Sequence, residues 1–332
     1  MLISCIKRAF TLFIYCAALY GFCFARGSAL DFVNESTKLF TSGEKRYYCS
    51  GDSKFASCEF LPIGDDDFNI NNLVLELKYP NQDMMTSLVS GEFNSYLSNN
   101  FLFPKSFVCE NSTYLKKDTN VLKSDASCTI KSESITMNID VSSFVVSDIF
   151  RYKDIYFIQL SNTKRLIEFQ NRLIQYIDNS ENFGSIGVLY EIFDWLNYYN
   201  LGIKEIKINI HAPNLSNYFL DENIKRYDNK TQAYQAYYSN LEFLLASYKY
   251  SVNNNKKLNS ISRKNLDNIL SDFAKLLDPN SHKRSIKILV RGSENETINL
   301  GQFLIMSFYG NNFMDNFYSM LNKYDIRSVT HW

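Results

Sequence analysis

The chain is poor in the residues from which most recognisable sites are built. Of 332 residues, 3 are histidine, 5 proline and 12 glycine. His211, His282 and His331 stand far apart, and no two have the i, i+4 spacing of a helical metal site. Glycine never gathers into a phosphate-cradling loop: neither Gly-x-Gly-x-x-Gly nor the P-loop pattern occurs. The nucleophile elbow Gly-x-Ser-x-Gly is missing as well, since Gly184-Ser185-Ile186-Gly187 has the wrong spacing and reads as a helix start. Charge of one sign is lacking too, because Lys plus Arg and Asp plus Glu both total 35. That balance removes the electrostatic footprint of a nucleic-acid binder. These shortages leave no cofactor and no metal to expect, and no catalytic residue to name.

What is present is apolar and aromatic. Hydrophobic residues make up 45% of the chain, with 23 Tyr and 26 Phe, enough to bury a full core. The first 25 residues read as a secretory signal peptide. Lys7 and Arg8 form a basic start, Ala9 to Ala25 is uncharged, and small residues offer cleavage after Ala25 or after Ala29. The rival reading is an uncleaved signal anchor, at the lower edge of the ~17–25 residues that span a bilayer.

Cysteine usage agrees with export. Of 7 cysteines, Cys5, Cys16 and Cys23 fall in the leading segment, so processing leaves an even set: Cys49, Cys58, Cys109 and Cys128. A motif occurs twice among them. Cys49 leads to Ala56-Ser57-Cys58, and Cys109 leads to Ala126-Ser127-Cys128, each across a polar insert. Four cysteines allow three pairings, and the repetition selects the local one, Cys49–Cys58 and Cys109–Cys128. A zinc site made of all four lacks the close C-x2-C spacing that such sites use.

Residues 30–160 read as a β-rich region. A short helix is expected over Asp31–Phe40, then a hairpin of Lys45–Ser50 and Lys54–Phe60. Leu73–Tyr79 and Ile135–Val141 alternate apolar and polar residues as half-buried strands do. Residues 82–100 read as a helix broken at Gly91. Phe101–Cys109 reads as an edge strand or as two short pieces because of Pro104, and Glu110–Asp125 as a polar insert. Asp65-Asp66-Asp67 reads as a solvated loop, since the spaced ligands of a calcium loop are missing. Two further strands are expected at Phe144–Phe150 and Asp154–Leu160.

Residues 161–332 mix strands and helices. Leu166, Phe169, Leu173 and Ile177 mark one helix, and Leu189, Ile192, Leu196 and Tyr199 another. Ile203–Ile210 is a strand. Tyr234, Tyr237, Leu241, Leu244 and Tyr248 mark a third helix, and Leu266, Ile269, Phe273 and Leu276 a fourth that ends at Asp278-Pro279. Ser285–Val290 is a strand with Ile298–Leu300 as its hairpin partner, two helices follow over residues 302–323, and Ile326–Thr330 is a last short strand. The expectation is an α+β fold, with a disulfide-braced β-rich N-terminal half and a mixed strand–helix C-terminal half that can share one sheet.

Two aromatic groups stand out: Tyr234, Tyr237, Tyr238 and Tyr248 in one helical region, and Phe313 and Phe317 in another. Tyrosine faces suit surfaces that are half apolar and half wet, so these six are the candidate binding surface. The plainer reading is that they pack on the strands as core. Glu191 and Asp194, three apart on one helix, are the carboxylates left for a hydrolytic alternative. Five Asn-x-Ser/Thr sequons, at Asn34, Asn111, Asn214, Asn229 and Asn295, are expected by chance in a chain this rich in Asn.

The leading segment, the paired cysteines in Ala-Ser-Cys settings and the later alternation of amphipathic strands and helices resemble, in layout, uncharacterised exported envelope proteins of bacteria of the YdgA type. The resemblance implies export and brings no residue role or activity. The expected function is an exported, periplasmic or secreted envelope protein with a non-enzymatic binding or structural role, its partner a hydrophobic ligand or an envelope protein. A membrane is expected to be met only through an uncleaved N-terminal segment. The alternatives are a secreted hydrolase, or a secreted factor acting on a host or competitor.

Overall fold

The computed structural model describes residues 28–40, 47–64, 68–81, 84–95, 101–116, 121–146, 201–292, 298–299 and 321–331. The first helix is α1 (Ala29–Phe40). Strands β1 (Tyr47–Gly51), β2 (Phe55–Phe60), β3 (Ile63–Gly64), β4 (Phe68–Asn81), β5 (Met84–Ser95), β6 (Ser106–Lys116), β7 (Val121–Lys131) and β8 (Thr136–Val146) follow. Then come β9 (Leu201–His211), α2 (Leu215–Ile224), α3 (Lys230–Asn254), α4 (Ser260–Leu277), β10 (Ser285–Gly292), β11 (Ile298–Asn299) and β12 (Tyr324–His331).

The strands form one antiparallel sheet in the order β1-β2-β4-β5-β6-β7-β8-β9-β10-β12, with β3 against β4 and β11 against β9. One transverse row shows how period two organises it. Cys49, Cys58, Leu75, Val89, Cys109, Cys128, Ile139, Ile208, Ile288 and Ser328 stand opposite one another, strand by strand. Residues opposed in an antiparallel ladder share a face, so this row marks the face that meets the helices. Thr37 of α1 lies 4.0 Å from the Cys49 sulfur at one end. At the other, the Ser328 hydroxyl donates to Asp272 of α4 at 2.7 Å. Both disulfides, Cys49–Cys58 and Cys109–Cys128, are rungs of this row.

The core lies on that face in separate patches. Ala29 and Val33 of α1 cover Ala56, Cys58, Leu75, Leu77, Met85 and Val89. At the far end, α4 lays Leu266, Ile269, Phe273 and Leu276 over Ile286, Ile288, Val290 and Ile326. Ser28 starts α1 by accepting from the Asp31 N–H at 3.0 Å. Two local devices keep the apolar residues on the covered face. Asn72 takes a positive φ of 50° at a bulge in β4, so that Ile70 and Leu73, an odd number of residues apart, are both buried. Gly51 has φ 144°, where a Cβ would stand 2.2 Å from the Phe55 carbonyl oxygen. Beside it Asp52 accepts from the Lys54 and Phe55 N–H groups at 2.7 and 2.9 Å, which holds its carboxyl below the usual range.

Several expectations are corrected. Residues 84–95 are strand, not helix: Met85, Val89, Gly91 and Phe93 alternate onto the covered face, and Gly91 leaves room for Ile70 and the Phe107 ring. The segment before Cys109 is no edge, because Pro104 precedes β6, which pairs on both sides. Most of the polar insert Glu110–Asp125 is the two arms of the β6–β7 hairpin. Ile298 pairs with Ile203 of β9 and not with β10. The architecture is therefore more strand-dominated than an α+β fold implies, with helices on one face of one sheet. The leading 25 residues, the Asp65–Asp67 run, the strand at Asp154–Leu160 and the helices expected between residues 161 and 200 and over 302–320 lie outside the described residues.

Candidate functional site

Helix α3 carries four of the predicted aromatic residues, Tyr234, Tyr237, Tyr238 and Tyr248. It starts at Asn229, whose side chain accepts from the Thr231 N–H at 2.8 Å. Its first turns are tied to the end of α4. The Tyr237 hydroxyl donates to the Leu277 carbonyl at 2.6 Å, a helix-end acceptor that has no partner inside its own helix. The Tyr238 hydroxyl donates to Asp278 at 3.0 Å and accepts from the Asn280 side chain at 2.7 Å. The two rings meet edge to face, 5.7 Å apart. Near the other end, Lys249 pairs with Asp267 at 3.4 Å.

Beyond these ties little of α3 is covered. Among its 25 residues only Ala233 and Val252 are buried. Tyr234, Phe243, Leu244, Tyr248 and Tyr250 are between 43% and 72% exposed. The structure therefore splits the predicted aromatic set. Tyr237 and Tyr238 are half-buried struts, and Tyr234 and Tyr248 face solvent. Phe313 and Phe317 lie outside the described residues, as do Glu191 and Asp194. Sequence reading missed Phe243 and, on the first turn of α4, Ile261, which is 68% exposed. The signal was available: α3 carries apolar residues all round, so no single face can bury them.

Burial, then the charges of Tyr238 and Asp278, push the Tyr237 hydroxyl up to about 12. Burial and the bond to Asp278 push Tyr238 up to about 12 as well. An acid whose folded pKa exceeds its unfolded value of about 10 stabilises the fold fully below that pH and loses the contribution as pH rises towards the folded value. An ultraviolet titration is therefore expected to show at least two late-ionising tyrosines, with loss of helix packing between about pH 10 and 12. Tyr238→Phe should remove one of them. If all tyrosines ionised together near 10, the strut would not exist in solution.

The opposite face of the sheet is polar and internally paired. Ser127 donates to Asp140, Ser142 to Asp125 and Thr129 to Asn138, at 2.7 to 2.8 Å. An open depression of about 210 Å³ crosses β4, β5 and β6, lined by Glu76, Lys78, Thr86, Leu88, Glu110 and Ser112 among others. Lys78 pairs with Glu76 at 3.1 Å, and Leu88 is the one aliphatic side chain in the lining. Asn111 forms a closed knot with Thr113 and Ser124, so its sequon is sealed inside the sheet. The strand register also brings together two of the scattered histidines: His211 and His331 stand on either side of Ser285. Among the described residues no group of three His, Cys, Asp or Glu is arranged to hold a metal.

No protein-family model matches the chain, and no curated protein matches its sequence. Its function must be read from this geometry. Among the described residues no helix is long and apolar enough to cross a membrane.

Proposed function

We propose that this is an exported, non-enzymatic binding protein of the cell envelope: a disulfide-pinned sheet that carries α3 as its binding element. The observation behind the reading is α3 itself, two residues buried out of 25 and five large apolar side chains in solvent. Soluble proteins rarely expose such a concentration without a partner for it. The polar depression on the other face, with its paired lysine and glutamate, offers a hydrophobic ligand little. The aromatic helix is therefore the better site, and the hydrolytic alternative gains nothing from the described residues.

Export is supported by the two disulfides, which persist in oxidising compartments, and agrees with the layout resemblance to exported envelope proteins. Of the two cleavage points, the one after Ala25 is favoured. Ala29 is fully buried and its N–H donates to the Ser53 carbonyl at 3.1 Å, so cutting after Ala29 would remove part of the core.

Site-specific photo-crosslinking in the producing cell tests the reading. A benzophenone side chain at position 243 or 250 should yield adducts, and one at position 329, exposed on the opposite face of the sheet, should not. Silence at 243 and 250, or equal labelling at all three, would sink it.

A further inference from the structure

The α3–α4 turn combines exposed apolar side chains with a one-sided charge. From Phe243 to Lys264 there is no Asp or Glu, whereas Lys249, Lys256, Lys257, Arg263 and Lys264 are all basic. The chain as a whole is neutral, so this is a local concentration. Lys249 is engaged with Asp267, and the Arg263 guanidinium donates to the Asn255 carbonyl at 2.9 Å, closing the turn. Lys256, Lys257 and Lys264 are exposed. Phe243 and Tyr250 are seven residues apart, about two helical turns, and so lie on the same side of α3. Leu244 and Tyr248, four apart, flank them, and Ile261 stands on the neighbouring turn of α4. All five are exposed.

We infer that this turn docks on an anionic lipid surface. The inference rests on the reading of α3 as the binding element and names its partner. Aromatic rings with a polar tip settle at headgroup depth, and lysines beside them reach lipid phosphates. Apolar insertion and a basic cluster are the two signals that together hold a peripheral protein on a membrane, each weak alone. Leu244 and Ile261 separate this from a single-strand nucleic-acid platform, which needs rings for stacking and has no use for aliphatic side chains. A helix lying in the interface needs no transmembrane length, in keeping with α3.

The test is flotation of the full exported chain with vesicles of phosphatidylcholine containing phosphatidylglycerol, against phosphatidylcholine alone. Binding is expected only to the anionic vesicles. Each lysine near such a surface contributes about fivefold, so Lys256→Gln with Lys257→Gln should weaken partition by about 25-fold. Phe243→Ser with Tyr250→Ser should cost at least about tenfold. Since these positions are exposed, circular dichroism should be unchanged. As a check that needs no variant, about 1 M salt, which shortens the screening length to about 3 Å, should release the wild type. Equal binding to both vesicle types, indifference to salt, or binding of oligonucleotide or acidic polypeptide with none to vesicles would overturn the inference. If crosslinks from 243 and 250 were all to protein and vesicles stayed unbound, α3 would remain the binding element and the lipid partner would be withdrawn.

Discussion

Replacing Cys109 and Cys128 together by alanine lowers the free energy of unfolding by about 3 kcal/mol. The bond closes a separation of 19 residues, and a chain freed of that closure gains most of its advantage in the unfolded state. The same replacement at Cys49 and Cys58, a separation of 9, should cost about 0.5 kcal/mol less, because loop-closure entropy grows only logarithmically with length. Leu75 and Val89 stand between the two bonds in their shared row. Three strand spacings are about 14 Å, far enough for the two costs to add within about 0.5 kcal/mol. Urea unfolding of the wild type and the three variants, each under non-reducing conditions, measures all of this. Coincident midpoints, or a non-reducing peptide map with Cys49 joined to Cys109, would remove the basis of the prediction.

That row also explains why the cysteine motif was legible. Ala56 and Ala126 stand in one transverse row, Cys58 and Cys128 in the next, and Ser57 and Ser127 point to the opposite face between them. The motif recurs because the same hairpin position recurs. Strands β4, β8, β9 and β10 were legible for a related reason: each sets aliphatic residues on the covered face against polar ones on the other. β5 was not. Its covered face includes Ser87 and Gly91, while Met85, Leu88, Val89 and Phe93 fall at spacings of three and four that imitate a helix. β6 and β7 looked like an insert because Asn111, Thr113 and Ser124 put polar groups on the covered face. They satisfy one another there, at 2.7 to 3.2 Å, and that pairing across strands is invisible in a linear reading. The plainer reading of the α3 aromatics as core fails at Tyr234 and Tyr248 from the same kind of cause. α3 packs on α2 and α4, and at about 37 Å it outruns the roughly 27 Å of α4. A helix laid on a shorter helix buries a narrow stripe, whatever its side chains would prefer.

Ile286 packs with Leu276 beneath α4, and Ile286→Ala is expected to cost about 3 kcal/mol. Ile286 is 0% exposed and sits with Ala212 and Leu276 in a patch to which Phe273 and Ile210 also belong. Removing three carbons leaves a cavity bounded by a strand on one side and a helix on the other, neither free to collapse into it without losing its own pairs. Ile286→Val should cost only about 1 kcal/mol. The control lies on the adjacent strand. Val329 of β12 is opposite Lys287, one residue along, and therefore on the other face, where it is 54% exposed. Val329→Ala should change stability by no more than about 0.5 kcal/mol. Denaturant midpoints decide between them, and a Val329 variant as unstable as the Ile286 one would mean the two faces of the sheet have been assigned the wrong way round. Because α3 reaches the sheet through α4, Ile286→Ala should also loosen the seating of α3, the proposed binding element, while leaving every side chain on its exposed surface in place.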